Sequence, residues 1–342
     1  MRTAGINVGR IAQPELQIHG GGYDLALARQ RKLMDQYNIH FVPGVNEDLA
    51  ATSVLGSQIF DVVGKSKVEG VVGFWYGKGP GVDRSGDIFR HANLAGTGKN
   101  CAAIVLAGDD HVAKSSTVPH QSDFSLYNYG LPFFYPGNSQ EILDYGAWAV
   151  ALSRYSGAWV GMKLVTDICD GGSTVDLDAK PPARLPAGYE KHVDARIVSP
   201  ITLGLEHETY VRRLEAARQF AHLNQVNRIH GNGKIGLLSA GKSYYDLLQA
   251  LTDLGVRDDV RVGQVAMPFP LDPQFVAEFA EGLETILVVE EKRSFLEMQL
   301  REILYGTPNA PRILGKSHFP PTGELDPDRI ALVLADVLQL NS

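Results

Sequence analysis

The chain has 342 residues, 44% of them hydrophobic and 21% charged, with a formal net charge of −7. This is a soluble globular balance with length for two domains, and no apolar run approaches the roughly eighteen residues of a membrane span. Dispersed Lys and Arg exclude a nucleic-acid partner, the solitary Cys101 and Cys169 exclude paired-cysteine metal or cluster motifs, and a start without a basic-then-apolar signal points to the cytoplasm.

In chain order, NEDLAATSVLGSQIFDVV (46–63) carries apolar residues at helical spacing, with Asn46 as its N-cap. EGVVGFWYG (69–77), CAAIVLAGDD (101–110), LPFFYP (131–136) and WVGMKLVTDIC (158–169) are short, nearly continuous apolar runs, the mark of strands covered on both faces. SQEILDYGAWAVALSRYSG (139–157) is again helical, with Ser139 as N-cap. The Gly, Pro and Asp of 171–204 mark a boundary, followed by a polar helix over about 205–225. From KIGLLSA onward, four strand–helix pairs follow with short loops. The expected fold class is α/β, with two doubly wound, mainly parallel sheet domains over 1–180 and 233–342, joined by a linker and helix over 181–232.

GLLSAGKS (236–243) fits the phosphate-loop pattern G-x-x-x-x-G-K-[ST], and ILVVEE (286–291) imitates a strand ending in magnesium-binding acids. A phosphate loop begins where its strand ends, yet here IGLLSA is the only apolar segment available as that strand, since HGNG (230–233) reads as turn. Leu237 and Leu238 are therefore expected inside a sheet, with Lys242 outside any phosphate pocket. Glu290 and Glu291 read either as crevice acids or as first-turn acids of the following helix.

Polar residues concentrate in the first half. PGVNEDLAAT (43–52) starts a helix at Glu47, for which a cap and dipole role is sufficient by itself. WYGKGPGVDRSGDIFRHAN (75–93) reads as a glycine-rich loop at a strand's carboxyl end, with Gly79, Gly81, Asp83 and Arg84. AGDDHVAKSSTVPHQSD (107–123) repeats the arrangement with Asp109, Asp110, His111, Ser115, Ser116, His120 and Gln121. Two such loops on successive parallel strands meet in one crevice. The histidines lack the i, i+4 spacing of a helical ligand pair, so no metal site is assigned, and no G-x-S-x-G elbow supports a serine hydrolase.

Together these three stretches resemble the amino-terminal region of indolepyruvate ferredoxin oxidoreductase, a thiamine-diphosphate-dependent 2-oxoacid:ferredoxin oxidoreductase. LLSAGKSYYDLLQAL and ILVVEEKRSFLEMQL are similar to the transketolase-carboxyl-terminal-like domain that follows in that family. The resemblance implies that Glu47 hydrogen-bonds the aminopyrimidine of thiamine diphosphate and favours the tautomer that removes the thiazolium C2 proton. It implies further cofactor contacts from Gly79, Gly81, Asp83, Arg84, Asp110, Ser115 and Ser116. This chain has LQIHGGGYDLAL (16–27) where the family reads G-Y-x-G-S-P, and it lacks the G-D-G motif with its downstream Asn. The resemblance thus implies only the pyrimidine end of the cofactor here. Diphosphate, magnesium and iron–sulfur sites belong to another domain or chain, the assembly is dimeric or hetero-oligomeric, and ferredoxin and coenzyme A serve the complete enzyme on an aryl pyruvate such as indolepyruvate. The alternatives are a non-catalytic assembly or regulatory relative, and a P-loop nucleotide hydrolase.

Overall fold

Continuous apolar runs become the central strands of two sheets. The computed structural model describes residues 8–12, 27, 29–60, 64, 68–114, 116–178 and 182–340; Ser115 and most of the 16–27 loop lie outside the described residues. The first sheet comprises β1 (Val8–Ala12), β2 (Val72–Lys78), β3 (Ala102–Asp109), β4 (Phe133–Phe134) and β5 (Val160–Val165), in the order β1-β2-β3-β5-β4. Every pairing in it is parallel. Both faces of β2 and β3 are covered, so most of their residues are buried. Trp75 meets Phe89 edge-on at 4.9 Å within a core that includes Val54, Val82 and Trp159.

Three local readings change. The glycine-rich stretch after β2 is two helices, Gly79–Arg84 and Gly86–Ala95, with Pro80 in the first turn, where its missing N–H costs nothing. The helix Ser139–Ser156 is capped by Asn138, whose Oδ1 accepts from the Glu141 N–H at 2.9 Å, one residue before the expected cap. The short β1 was not anticipated.

Between the sheets the chain is tied down. Tyr189 donates its hydroxyl to the Ser156 carbonyl at 2.6 Å, and Lys191 Nζ donates to the Gly98 carbonyl at 2.7 Å. The connecting helix starts at Ile201 and passes through a π-helical turn, Glu208–Arg213, before Leu214–Leu223. The buried Arg213 donates to the carbonyls of Asn93 and His192. Gly96 is left-handed (φ 85°), and a Cβ there would lie 2.5 Å from the Arg213 guanidinium.

The second sheet contains β6 (Arg228–Gly231), β7 (Ile235–Ala240), β8 (Arg261–Val265), β9 (Thr285–Val289) and β10 (Arg312–Leu314), in the order β10-β9-β7-β8-β6. β7 through β10 are parallel, and β6 runs antiparallel along β8. The residues read as pure turn, beginning at His230, thus contribute the end of an edge strand. Leu237 and Leu238 are buried in β7, as expected. Lys242 donates to Asp246 at 2.6 Å and to the Leu325 carbonyl at 2.7 Å, so its ammonium is committed within the fold. Both motif glycines have packing reasons. A Cβ at Gly236 would lie 2.4 Å from Leu283, and one at Gly241 (φ 55°) would lie 2.3 Å from the ring of Tyr135.

The sheets meet through more than side chains. Phe133 N–H donates to the Phe269 carbonyl at 2.8 Å, and Tyr135 N–H to the Ala266 carbonyl at 2.9 Å, forming one antiparallel bridge. Phe295, from the second half, is buried in the core of the first sheet against Phe124, Tyr127 and Phe133. Glu141 of the first half accepts from Tyr245 and Gln264 of the second at 2.8 and 2.7 Å. No helix among the described residues is long and apolar enough to cross a membrane.

Candidate functional site

Asn46 is extended (φ −158°, ψ 174°) and its Oδ1 accepts from Leu49 N–H at 2.9 Å, which starts the helix Glu47–Gln58 at Glu47. The Glu47 carbonyl accepts from the Trp75 indole at 3.0 Å, anchoring this end to β2. The Glu47 side chain, 26% exposed, lies against Gly81, where an added Cβ would come 2.7 Å from Glu47 Cγ. Arg84 donates from Nε to Asp48 at 2.9 Å and stands 3.9 Å from Glu47. Val45 and Leu49, two residues before and two after Glu47 in the chain, are 85% and 52% exposed.

Next to this rim, Asp83 accepts from the Ser125 hydroxyl at 2.9 Å and lies 2.9 Å from His120 Nε2. The His120 ring passes over Gly79, where a Cβ would be 1.9 Å away. Asp110 holds its own loop, accepting from the backbone of Val112 at 3.3 Å and of Ser116 at 3.1 Å. Glu47, Gly81 and Arg84 therefore share one locality and Gly79 and Asp83 the adjoining one, while Asp110 and Ser116 organise the loop behind.

A second polar cluster lies at the carboxyl ends of β3, β5, β7 and β9; sequence reasoning named its Asp109, His111, Glu290 and Glu291 but missed Lys163, which pairs with Asp109. Lys163, a lone charge in an apolar strand, donates to Asp123 at 2.6 Å, lies 3.7 Å from Asp109 and sits 4.6 Å over the Tyr135 ring. That isolated Lys was the available signal. Burial opposes its charge, but Asp123 and Asp109 outweigh burial and raise its pKa. Burial likewise opposes ionisation of Asp109, yet bonds and charges from His120, Lys163, His111 and Ser122 hold its carboxyl well below the usual range.

His111 Nδ1 lies 2.5 Å from Glu291, both deeply buried. Burial pushes the Glu291 carboxyl up, but His111 and Lys242 bring it down to about 2. Glu290 accepts from the backbone N–H groups of Phe295, Leu296 and Glu297 at 2.8 to 3.1 Å, the helix-start role. The enclosed space beside Lys163, Tyr135, Glu290 and Glu291 leaves about 20 Å³ for the centre of a water molecule. That is room for about one water. The inter-sheet crevice is thus lined by its own ion pairs, whereas Glu47 is a partly exposed carboxylate beside the exposed Asp48 and Asp83.

Burial pushes the Glu290 carboxyl up to about 7 despite its three amide donors. An acid raised in the folded state loses stability as pH rises from its unfolded value, about 4.3, through its folded one. Glu290→Gln should therefore flatten the fall in melting temperature between pH 5 and pH 8. An unchanged pH slope in the variant would contradict this assignment.

Two mainly parallel α/β sheets joined by a connecting helix define the fold, and comparison with solved structures gives the same fold. The fold is similar to a 2-oxoglutarate:ferredoxin oxidoreductase from Magnetococcus marinus (TM-score 0.66, 13% identity, 97% of this chain and 62% of that one). It is also similar to a split-gene transketolase in an inactive beta4 tetramer (TM-score 0.57, 15% identity, 97% and 92%). Residues 227–342 match the family model described as indolepyruvate oxidoreductase domain. The indolepyruvate oxidoreductase subunit IorA of Methanothermobacter marburgensis is 25% identical over 272 residues, 79% of this chain and 42% of the relative. That of Pyrococcus abyssi is 25% identical over 252 residues, 72% and 39%. The chain is similar to these indolepyruvate oxidoreductase subunits, and it spans about two-fifths of the length of these curated relatives.

Proposed function

We propose that the chain is the pyrimidine-side part of a 2-oxoacid:ferredoxin oxidoreductase, with 1–180 as the pyrimidine-side unit, 181–232 as connector and 233–342 as the transketolase-carboxyl-terminal-like unit. The observation that carries this reading is the Glu47 carboxylate, set at a helix start with Gly81 cleared beside it. The donor set fits an aminopyrimidine: a partly exposed carboxylate for a ring nitrogen, with the exposed apolar Val45 and Leu49 close to it in the chain. Thiamine diphosphate, when bound, supplies the carbon chemistry of 2-oxoacid decarboxylation. Glu47 holds a proton shared with the ring nitrogen, and the first-turn position keeps its carboxyl group from wandering. Gly79, Asp83, Arg84, Asp110 and Ser116 support that wall and its loop. Magnesium, the diphosphate grip and the iron–sulfur clusters come from a partner domain or chain; ferredoxin takes the electrons, coenzyme A takes the acyl group, and an aryl pyruvate is the substrate.

The test is reconstitution. The chain alone should bind thiamine diphosphate weakly or not at all by calorimetry, and mixing it with a polypeptide carrying the missing domains should yield 2-oxoacid-dependent ferredoxin reduction. A stable complex without turnover on any 2-oxoacid would favour the assembly role instead. Tight, magnesium-dependent binding by the isolated chain would overturn the division of the cofactor site.

A further inference from the structure

Both ring nitrogens of His120 face carboxylates. Nε2 lies 2.9 Å from Asp83 Oδ2 and Nδ1 lies 3.3 Å from Asp109 Oδ1, with Ser122 Oγ 3.2 Å from Nδ1. A neutral imidazole donates from only one nitrogen, so serving both carboxylates takes the doubly protonated ring. The ring is 11% exposed and occupies the space a side chain at Gly79 would fill. His120 thereby joins the end of β3 to the helix Gly79–Arg84. That helix is the wall beside Glu47, through Gly81 against Cγ and Arg84 at 3.9 Å.

We propose that His120 is a positioning residue whose imidazolium form holds the helix Gly79–Arg84 against Glu47, so that the placement of the Glu47 carboxylate follows the protonation of His120. Its functional weight rests on the reading of Glu47 given above, whereas the coupling itself belongs to this chain alone. The charged groups around the ring are accounted for. Asp83 faces it from the helix and Asp109 from β3; Lys163, Asp123 and His111 stand around Asp109; Glu47, Asp48 and Arg84 lie toward solvent. Burial pulls His120 down, but its bonds to Asp109 and Asp83 outweigh burial and raise its pKa. A raised histidine contributes stability that is complete below its unfolded value, about 6.5, and lost as pH rises through its folded value.

The experiment is an NMR pH titration of the full, cofactor-free chain. It follows the imidazole nitrogens of His120 and the side-chain carboxyl carbon of Glu47, the latter assigned by its loss in Glu47→Gln. Both His120 nitrogens should carry protons at neutral pH, and the Glu47 carbon should show an inflection at the His120 midpoint. In His120→Gln, which can still donate to one aspartate, that inflection should vanish. A His120 midpoint at or below about 6.5, or a Glu47 carbon that ignores the midpoint, overturns the proposal. The wild-type coincidence decides the matter even if the variant folds poorly, and no turnover is measured, so failure of the enzyme reading is scored separately.

Discussion

Changing Glu47 to Gln should lower 2-oxoacid-dependent ferredoxin reduction by the reconstituted enzyme at least about a hundredfold, with thermal stability nearly unchanged. The stability half follows from the helix start. Asn46, not Glu47, supplies the cap, so the substitution removes only a dipole interaction of about 0.3–1 kcal/mol. It also removes a loose ion pair with Arg84, at 3.9 Å on a half-exposed surface, where such pairs contribute little. Gln keeps the length of the side chain and fits the same gap beside Gly81. The activity half follows from the proton. An amide cannot share a proton with a ring nitrogen as a carboxyl group does, and acid–base contacts of that kind are worth about a hundred- to ten-thousand-fold in rate. Near-normal turnover would reduce Glu47 to a helix-end acid.

Phe295→Ala should destabilise the chain by about 3–5 kcal/mol, the range for an aromatic removed from a packed core. Phe295 follows β9 in the second half, yet its ring packs on Phe124 at 5.3 Å, Phe133 at 5.7 Å and Tyr127 at 6.0 Å, all in the first. Trp75, Trp148 and Trp159 are the only tryptophans, and all precede residue 160. Tryptophan fluorescence during urea unfolding therefore reports the first half while the mutation lies in the second. A lowered fluorescence midpoint shows the two halves sharing one core. A midpoint unchanged by fluorescence, with loss seen only in overall helicity, would mean that the halves unfold independently.

The fold was legible where burial acts on both sides of a strand. The runs that became β2, β3, β5, β7 and β9 are apolar because both faces are covered, and no tertiary knowledge is needed to see them. β6 was illegible because it is four residues long and exists through its pairing with β8. The helix Gly79–Arg84 was hidden by its glycines, each costing roughly 1 kcal/mol of helix propensity. Those glycines serve His120 and Glu47, which approach too closely for a side chain. Within the site, the helix start at Glu47 could be read from Asn46 and its first-turn acids. The pairing of His111 with Glu291, and of Lys163 with Asp109 and Asp123, joins residues 40 to 180 positions apart, and local patterns carry no trace of it.

The contact between Gly241 and the Tyr135 ring has a consequence for how such chains are counted. An aromatic from the first half presses on the turn after β7, so the position tolerates no side chain. The next residue must be a cation, because Asp246, Asp167 and Glu291 converge on it. Gly236 is emptied by Leu283 and Phe279. Three unrelated packing and charge demands thus spell three of the four letters of a signature otherwise written by phosphate recognition. Surveys that classify genomes by short signatures would enrol this chain, and any relative under the same steric demands, among nucleotide hydrolases. Asking whether the residues between the two glycines are strand or loop removes the false enrolment.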